Sequence, residues 1–161
     1  MRNHHSRVSK NEFRCGYCKL LVSTVAVGTR YRNHCPNCGY SRHVDLPYSH
    51  GTSDCRGLMK PIGLTFKKNG ELSLVHYCLS CQVMDRNRLS GDDNPFMLFD
   101  VYLDSLNLEE SIRDLAKYRG IELIQPSELK EVEKQLGLER IAFSSKAIDS
   151  LFNDSYGIPR K

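Results

Sequence analysis

The 161-residue sequence predicts an α+β fold, a small β-rich domain followed by a helical C-terminal appendage. Three observations lead there. All seven cysteines lie between Cys15 and Cys81, six of them in Cys-x2-Cys pairs. The same half carries runs rich in β-branched residues and an Asn-Gly turn, the marks of short strands and a hairpin. The other half has no cysteine, and its apolar residues form stripes at helical spacing.

In chain order, residues 1–11 are polar, basic and aperiodic, and are expected to form a flexible arm. A short strand over 13–18 enters the first cysteine pair, and the β-branched run 20–28 is a second strand. Cys35-Pro36-Asn37-Cys38-Gly39 is a turn in which Pro36 fixes φ and Gly39 permits a positive φ after the second cysteine. Residues 45–57 are rich in turn formers. Strands over 58–67 and 71–77 flank Lys68-Asn69-Gly70 as a hairpin. Side chains alternate along a strand, so Leu72, Leu74, His76 and Cys78 share one face. Asn94 and Pro95 are the cap and first residue of a helix that carries the apolar segment 96–103. A second helix starts at Asn107 as cap, carries the stripe Leu108, Ile112, Leu115 and closes at Gly120. A third spans 127–136, with Leu129, Val132 and Leu136 on one side and Gly137 as its C-cap. A short fourth covers 145–152. The expected division is an arm over 1–11, a double-metal domain over 12–104 and a helical region over 105–161.

The cysteine spacing predicts zinc. A Cys-x2-Cys turn aims two thiolates at one ion, and Cys15/Cys18 with Cys35/Cys38 have the layout of a zinc ribbon. Four ligands close that site, leaving no position for water or substrate. Cys55, Cys78 and Cys81 remain, so a second closed site needs one other ligand. His76, two residues before Cys78 and on its strand face, is the assigned fourth ligand; His43 and His50 are its competitors. Two zinc ions per chain are therefore expected. The start of the chain has no apolar leader and no run is long enough to span a membrane, so a reducing, cytoplasmic setting is expected, where paired cysteines hold metal rather than disulfides.

Charge is uneven. Residues 1–68 hold 12 Lys/Arg against 3 Asp/Glu, whereas residues 95–161 hold 9 against 12. A basic first half suggests a polyanionic partner, although zinc thiolates offset part of that charge. Arg30, Arg32 and Arg42 surround the second cysteine pair, with Tyr31 and Tyr40 available for stacking. They are the candidate contacts to phosphates and bases, with RNA or the translation apparatus favoured over duplex DNA because no base-reading helix follows a metal site. Asn33 and His34 are expected to hydrogen-bond the backbone of that turn or the zinc thiolates. Asp92, Asp93 and Asn94 read as turn and cap residues before Pro95, and Asn87 and Arg88 as ties between that loop and the metal core. A metal-dependent hydrolase or nuclease using Asp92, Asp93 and a histidine is one alternative, and an adaptor docking a protein partner on its acidic helices is another.

Arg32-Asn33-His34-Cys35-Pro36 carries a family resemblance. With His43-Val44-Asp45, Cys55-Arg56-Gly57-Leu58-Met59-Lys60-Pro61, His76-Tyr77-Cys78, Asn87-Arg88 and Asp92-Asp93-Asn94, in that order, the chain resembles the RNHCP domain family over roughly residues 12–95. The resemblance implies a small zinc-binding domain and no particular reaction or partner. Gln82 departs from it, standing where a glycine is expected after the last cysteine.

Overall fold

The computed structural model describes residues 11–29, 32–44 and 55–138. The expected arm (Asn11 apart), the fourth helix over 145–152, Arg30, Tyr31 and His50 lie outside the described residues. β1 (Glu12–Arg14) and β2 (Leu21–Ser23) form a two-stranded antiparallel ribbon. β3 (Ser41–Arg42), β4 (Leu58–Phe66), β5 (Leu72–Cys78) and β6 (Met84–Arg88) form an antiparallel sheet in the order β3-β4-β5-β6. Among the described residues three α-helices follow: α1 (Pro95–Ser105), α2 (Glu110–Tyr118) and α3 (Leu129–Gln135). The α+β class with C-terminal helices is the one the sequence predicts.

The β4–β5 hairpin is the centre of the molecule. Gly70 takes a φ of 82° in its turn, a left-handed conformation that suits glycine. Alternation along β5 splits its side chains between two cores. Leu72 and Leu74 pack with Leu64, Leu98, Val101, Tyr102, Ile124 and Val132, whereas Val75 packs with Ile62, Met84, Ala116 and Ile121. The first core thus draws on residues before and after position 104. The register shifts between Pro61 and Gly63 in β4. This bulge follows a proline, which has no N–H to give a neighbour, and β3 ends before reaching it.

α1 begins as expected. The Asn94 side chain accepts hydrogen bonds from the backbone N–H groups of Phe96 and Met97, and Pro95 occupies the first turn. The start of α2 differs: its N-cap is Glu109, without a side-chain cap, rather than Asn107. The third predicted helix divides into a 3₁₀ turn at Pro126–Glu128 and α3, and Gln125 and Glu128 form a reciprocal capping box. The expected strand over 20–28 shortens to β2. Beyond Ser23 the chain turns at Ala26–Thr29, and the Val27 carbonyl accepts from the Gly91 N–H at 2.9 Å. No described helix is long and apolar enough to cross a membrane.

Candidate metal centres

All three Cys-x2-Cys pairs fold into one turn, repeated bond for bond. The N–H of the residue after the second cysteine donates to the carbonyl of the first: Lys19 to Cys15 at 3.2 Å, Gly39 to Cys35 at 2.8 Å and Gln82 to Cys78 at 3.0 Å. The N–H of the first cysteine then donates across the knuckle to Leu20, Tyr40 or Val83, at 2.8–2.9 Å. The residue closing each turn has a positive φ: 65° at Lys19, 72° at Gly39 and 63° at Gln82. Gln82 therefore adopts the conformation in which a glycine is expected, at a cost of roughly 1 kcal/mol. The turn is set by the thiolates it must converge, not by the residue that closes it.

The first site brings together Cys15, Cys18, Cys35 and Cys38, as the spacing predicts. The Sγ atoms of Cys15 and Cys38 lie 3.6 Å apart, as do those of Cys18 and Cys35. A disulfide requires about 2.05 Å. A tetrahedron of thiolates around zinc, with Zn–S bonds of about 2.3 Å, places sulfurs about 3.8 Å apart. The donor set fits zinc. Cys15 and Cys35 are buried with Val22, and Phe13 and Tyr40 pack against them in a small core of their own.

The second site gathers Cys55, Cys78, Cys81 and His43. Cys55 and Cys78 have Sγ atoms 3.6 Å apart, and Cys81 Sγ lies 3.2 Å from His43 Nδ1. This too fits zinc, and the chain holds sites for two zinc ions. His76, the ligand assigned from the sequence, is not in the set. The reason is the sheet. Ser41, Met59 and Cys78 pair across three strands, and the His43 N–H donates to the Gly57 carbonyl at 2.8 Å just beyond. His43, Cys55 and the third knuckle thus meet at one end of the sheet. His76 shares a face with Cys78 but sits two residues further into β5, about 6.6 Å along the strand. Its ring is already satisfied: Nε2 donates to the Gly39 carbonyl at 2.7 Å, and Nδ1 accepts from Asn87 Nδ2 at 2.9 Å. Burial lowers its pKa to about 4, so it is neutral. Gly57 completes the second site, since a Cβ there would lie 2.8 Å from Cys78 Sγ.

The residues Arg32 and His34 have a different task from those expected. Arg32 was the expected phosphate contact, yet its side chain is 1% exposed. Its guanidinium pairs with the Asp92 carboxylate and lies 3.9 Å from Asp93, and its Nε donates to Ser90 Oγ at 3.4 Å. His34 Nε2 bonds Asp93 Oδ2 at 2.9 Å rather than a thiolate. The Ser90 N–H donates to the same oxygen at 2.7 Å, and the Asn94 N–H to the Pro36 carbonyl at 2.9 Å. Asn33 contributes its backbone carbonyl, which accepts from Ser41 Oγ at 2.9 Å. The strand entering the second knuckle is therefore latched to the loop over 90–94 that starts α1. Asn94 is the helix cap, as expected, whereas Asp92 and Asp93, expected as turn residues, also hold Arg32 and His34. Asn87 ties β6 to the metal core through His76. Ser90 was missed, because a lone serine in a loop carries no spacing signal.

Tyr40 and Arg42 line a groove at the surface. Arg42 is exposed, and half-buried Tyr40 stacks on Tyr17, with ring centroids 3.9 Å apart and planes 4° from parallel. Between the two metal sites runs a groove of about 510 Å³, lined among others by Arg14, Tyr40, Arg42, Arg56 and Leu58. None of the described residues lining it is acidic.

Both metal sites have four protein donors and no open position, which suits structural zinc rather than a hydrolytic centre. A family model, the RNHCP domain, matches residues 10–99, more than half of the chain. The chain belongs to that family, and of the residues for which it is named Cys35 is a metal ligand while Arg32 and His34 form the knuckle-to-loop latch. No curated protein and no solved structure matches the chain.

Proposed function

We propose that this member of the RNHCP family is a nucleic-acid-binding module that takes RNA in the groove between its two zinc sites. The groove carries the reading: Arg14, Arg42 and Arg56 are among the residues that line it, and none of the described residues lining it is acidic. Phosphates are attracted to such a lining, and their contacts position a strand without reading its sequence. Arg32 also lines the groove, but its guanidinium is already held by the Asp92 carboxylate, so it is not counted among the phosphate contacts. No described helix directly follows a knuckle to present a base-reading face, so the module has no reading head for a DNA major groove. RNA of the translation apparatus is the first target to examine.

The hydrolase reading loses its carboxylates, since Asp92 and Asp93 are held by Arg32 and His34. The adaptor reading loses much of its surface, because Leu108, Ile112 and Leu115 pack onto the sheet.

A salt titration tests the proposal. Each phosphate neutralised releases counterions, so binding of single-stranded RNA should weaken with salt by a logarithmic slope of roughly −0.7 per contact. The double variant Arg14→Ala/Arg42→Ala should bind more weakly and with a flatter slope while keeping both zinc ions. Absence of RNA binding by zinc-loaded protein at low salt would sink the reading.

A further inference from the structure

Tyr17 is a large aromatic residue inside the first knuckle, between Cys15 and Cys18, and it is 56% exposed. It is not held out by chance geometry. The knuckle turn fixes its backbone, and its N–H lies 3.4 Å from Cys15 Sγ. One ring face is taken by Tyr40, which packs against the first zinc core and lines the basic groove. Tyr17 is thus the outer member of a two-ring stack whose inner member is anchored in the metal site. Gly16, its neighbour, also lines the groove, so the stack stands at the groove's edge beside Arg14 and Arg42.

We infer that Tyr17 is a stacking platform for an unpaired nucleobase, placed so that the strand whose phosphates lie in the basic groove sets one base on the ring face that Tyr40 leaves open. This rests on the RNA-binding reading and narrows it to single strands. A base in a duplex has both faces covered by its neighbours and cannot use the platform; an unstacked base can. A parallel Tyr–Tyr pair continues naturally with a third flat π-system, and every base has such a face, so the preference is for strandedness rather than sequence. Zinc makes the platform rigid, because the turn that presents Tyr17 exists only when Cys15 and Cys18 converge on the ion.

The chain contains no tryptophan, so Tyr17→Trp installs a single indole at the platform. The experiment titrates zinc-loaded wild type, Tyr17→Ala, Tyr17→Phe and Tyr17→Trp with a short single-stranded RNA of mixed sequence and with a duplex of the same sequence. Zinc content and circular dichroism confirm that each variant is folded. Tyr17→Ala should lose roughly 5- to 150-fold in single-strand affinity. Tyr17→Phe and Tyr17→Trp should bind like wild type, and single-stranded RNA, but not the duplex, should quench the indole. If wild type binds RNA with a steep salt dependence but Tyr17→Ala binds equally well and the indole is unquenched, the platform is overturned and the groove reading stands. If wild type binds no RNA at low salt, the groove reading fails and takes the platform with it.

Discussion

The first zinc site is enclosed by two knuckles that close on each other, whereas the second is closed by one knuckle and two residues delivered by the end of the sheet. Each site has two buried donors, Cys15 and Cys35 in the first and His43 and Cys78 in the second, but only the second has an exposed one, Cys81. The structures around them differ in the opposite sense. The first site lies in the short ribbon β1–β2 and the small core of Val22, Phe13 and Tyr40. The second sits on β4 and β5, which are held by two apolar cores of their own. The difference teaches that the ion is the core in one half of the domain and a clasp in the other.

Breaking one ligand in each site exposes that contrast. Cys35→Ser should remove one zinc and melt residues 11–38, because structural zinc contributes on the order of 10 kcal/mol and the local apolar core is too small to replace it. Cys81→Ser should also remove one zinc yet leave the β4–β5 hairpin folded. Zinc quantification with amide hydrogen exchange reads both. Equal protection of residues 11–38 in the two variants would contradict this contrast.

The next effect concerns the latch that joins the first site to α1. Arg32→Ala leaves Asp93 buried beside His34 without its cation, and should cost about 3–5 kcal/mol in a denaturant titration with both zinc ions retained. A change below 1 kcal/mol would mean that the latch is idle. A smaller effect is expected at the same junction from Asn94→Ala, which removes two hydrogen bonds to the first turn of α1 and should cost about 1 kcal/mol. Neither variant should alter the metal stoichiometry.

The sequence displayed the first site almost completely, because two Cys-x2-Cys turns state four ligands and a geometry at once. It displayed the hairpin through Lys68-Asn69-Gly70 and the start of α1 through Asn94-Pro95, both local signals. What it hid was non-local. His43 becomes a ligand only through the register that sets Ser41 against Met59 and Met59 against Cys78. Strand alternation put His76 on the correct face but said nothing of its position along the strand relative to the metal. The two residues of β3 and the polar β6 have no pattern of their own and exist by pairing with β4 and β5. Arg32 looked like a surface cation because an arginine beside a knuckle usually is one. Its partners Asp92 and Asp93 lie some 60 residues away, so only the fold reveals the pair.

The sheet end, not the strand face, chooses the second ligand set. Zinc quantification of His43→Ala and His76→Ala, purified in parallel, tests it most directly. His43→Ala should hold one zinc per chain, having lost a ligand. His76→Ala should hold two and be less stable by about 2–3 kcal/mol, since its buried ring bonds Gly39 and Asn87 rather than metal. One zinc in His76→Ala and two in His43→Ala would contradict the claim.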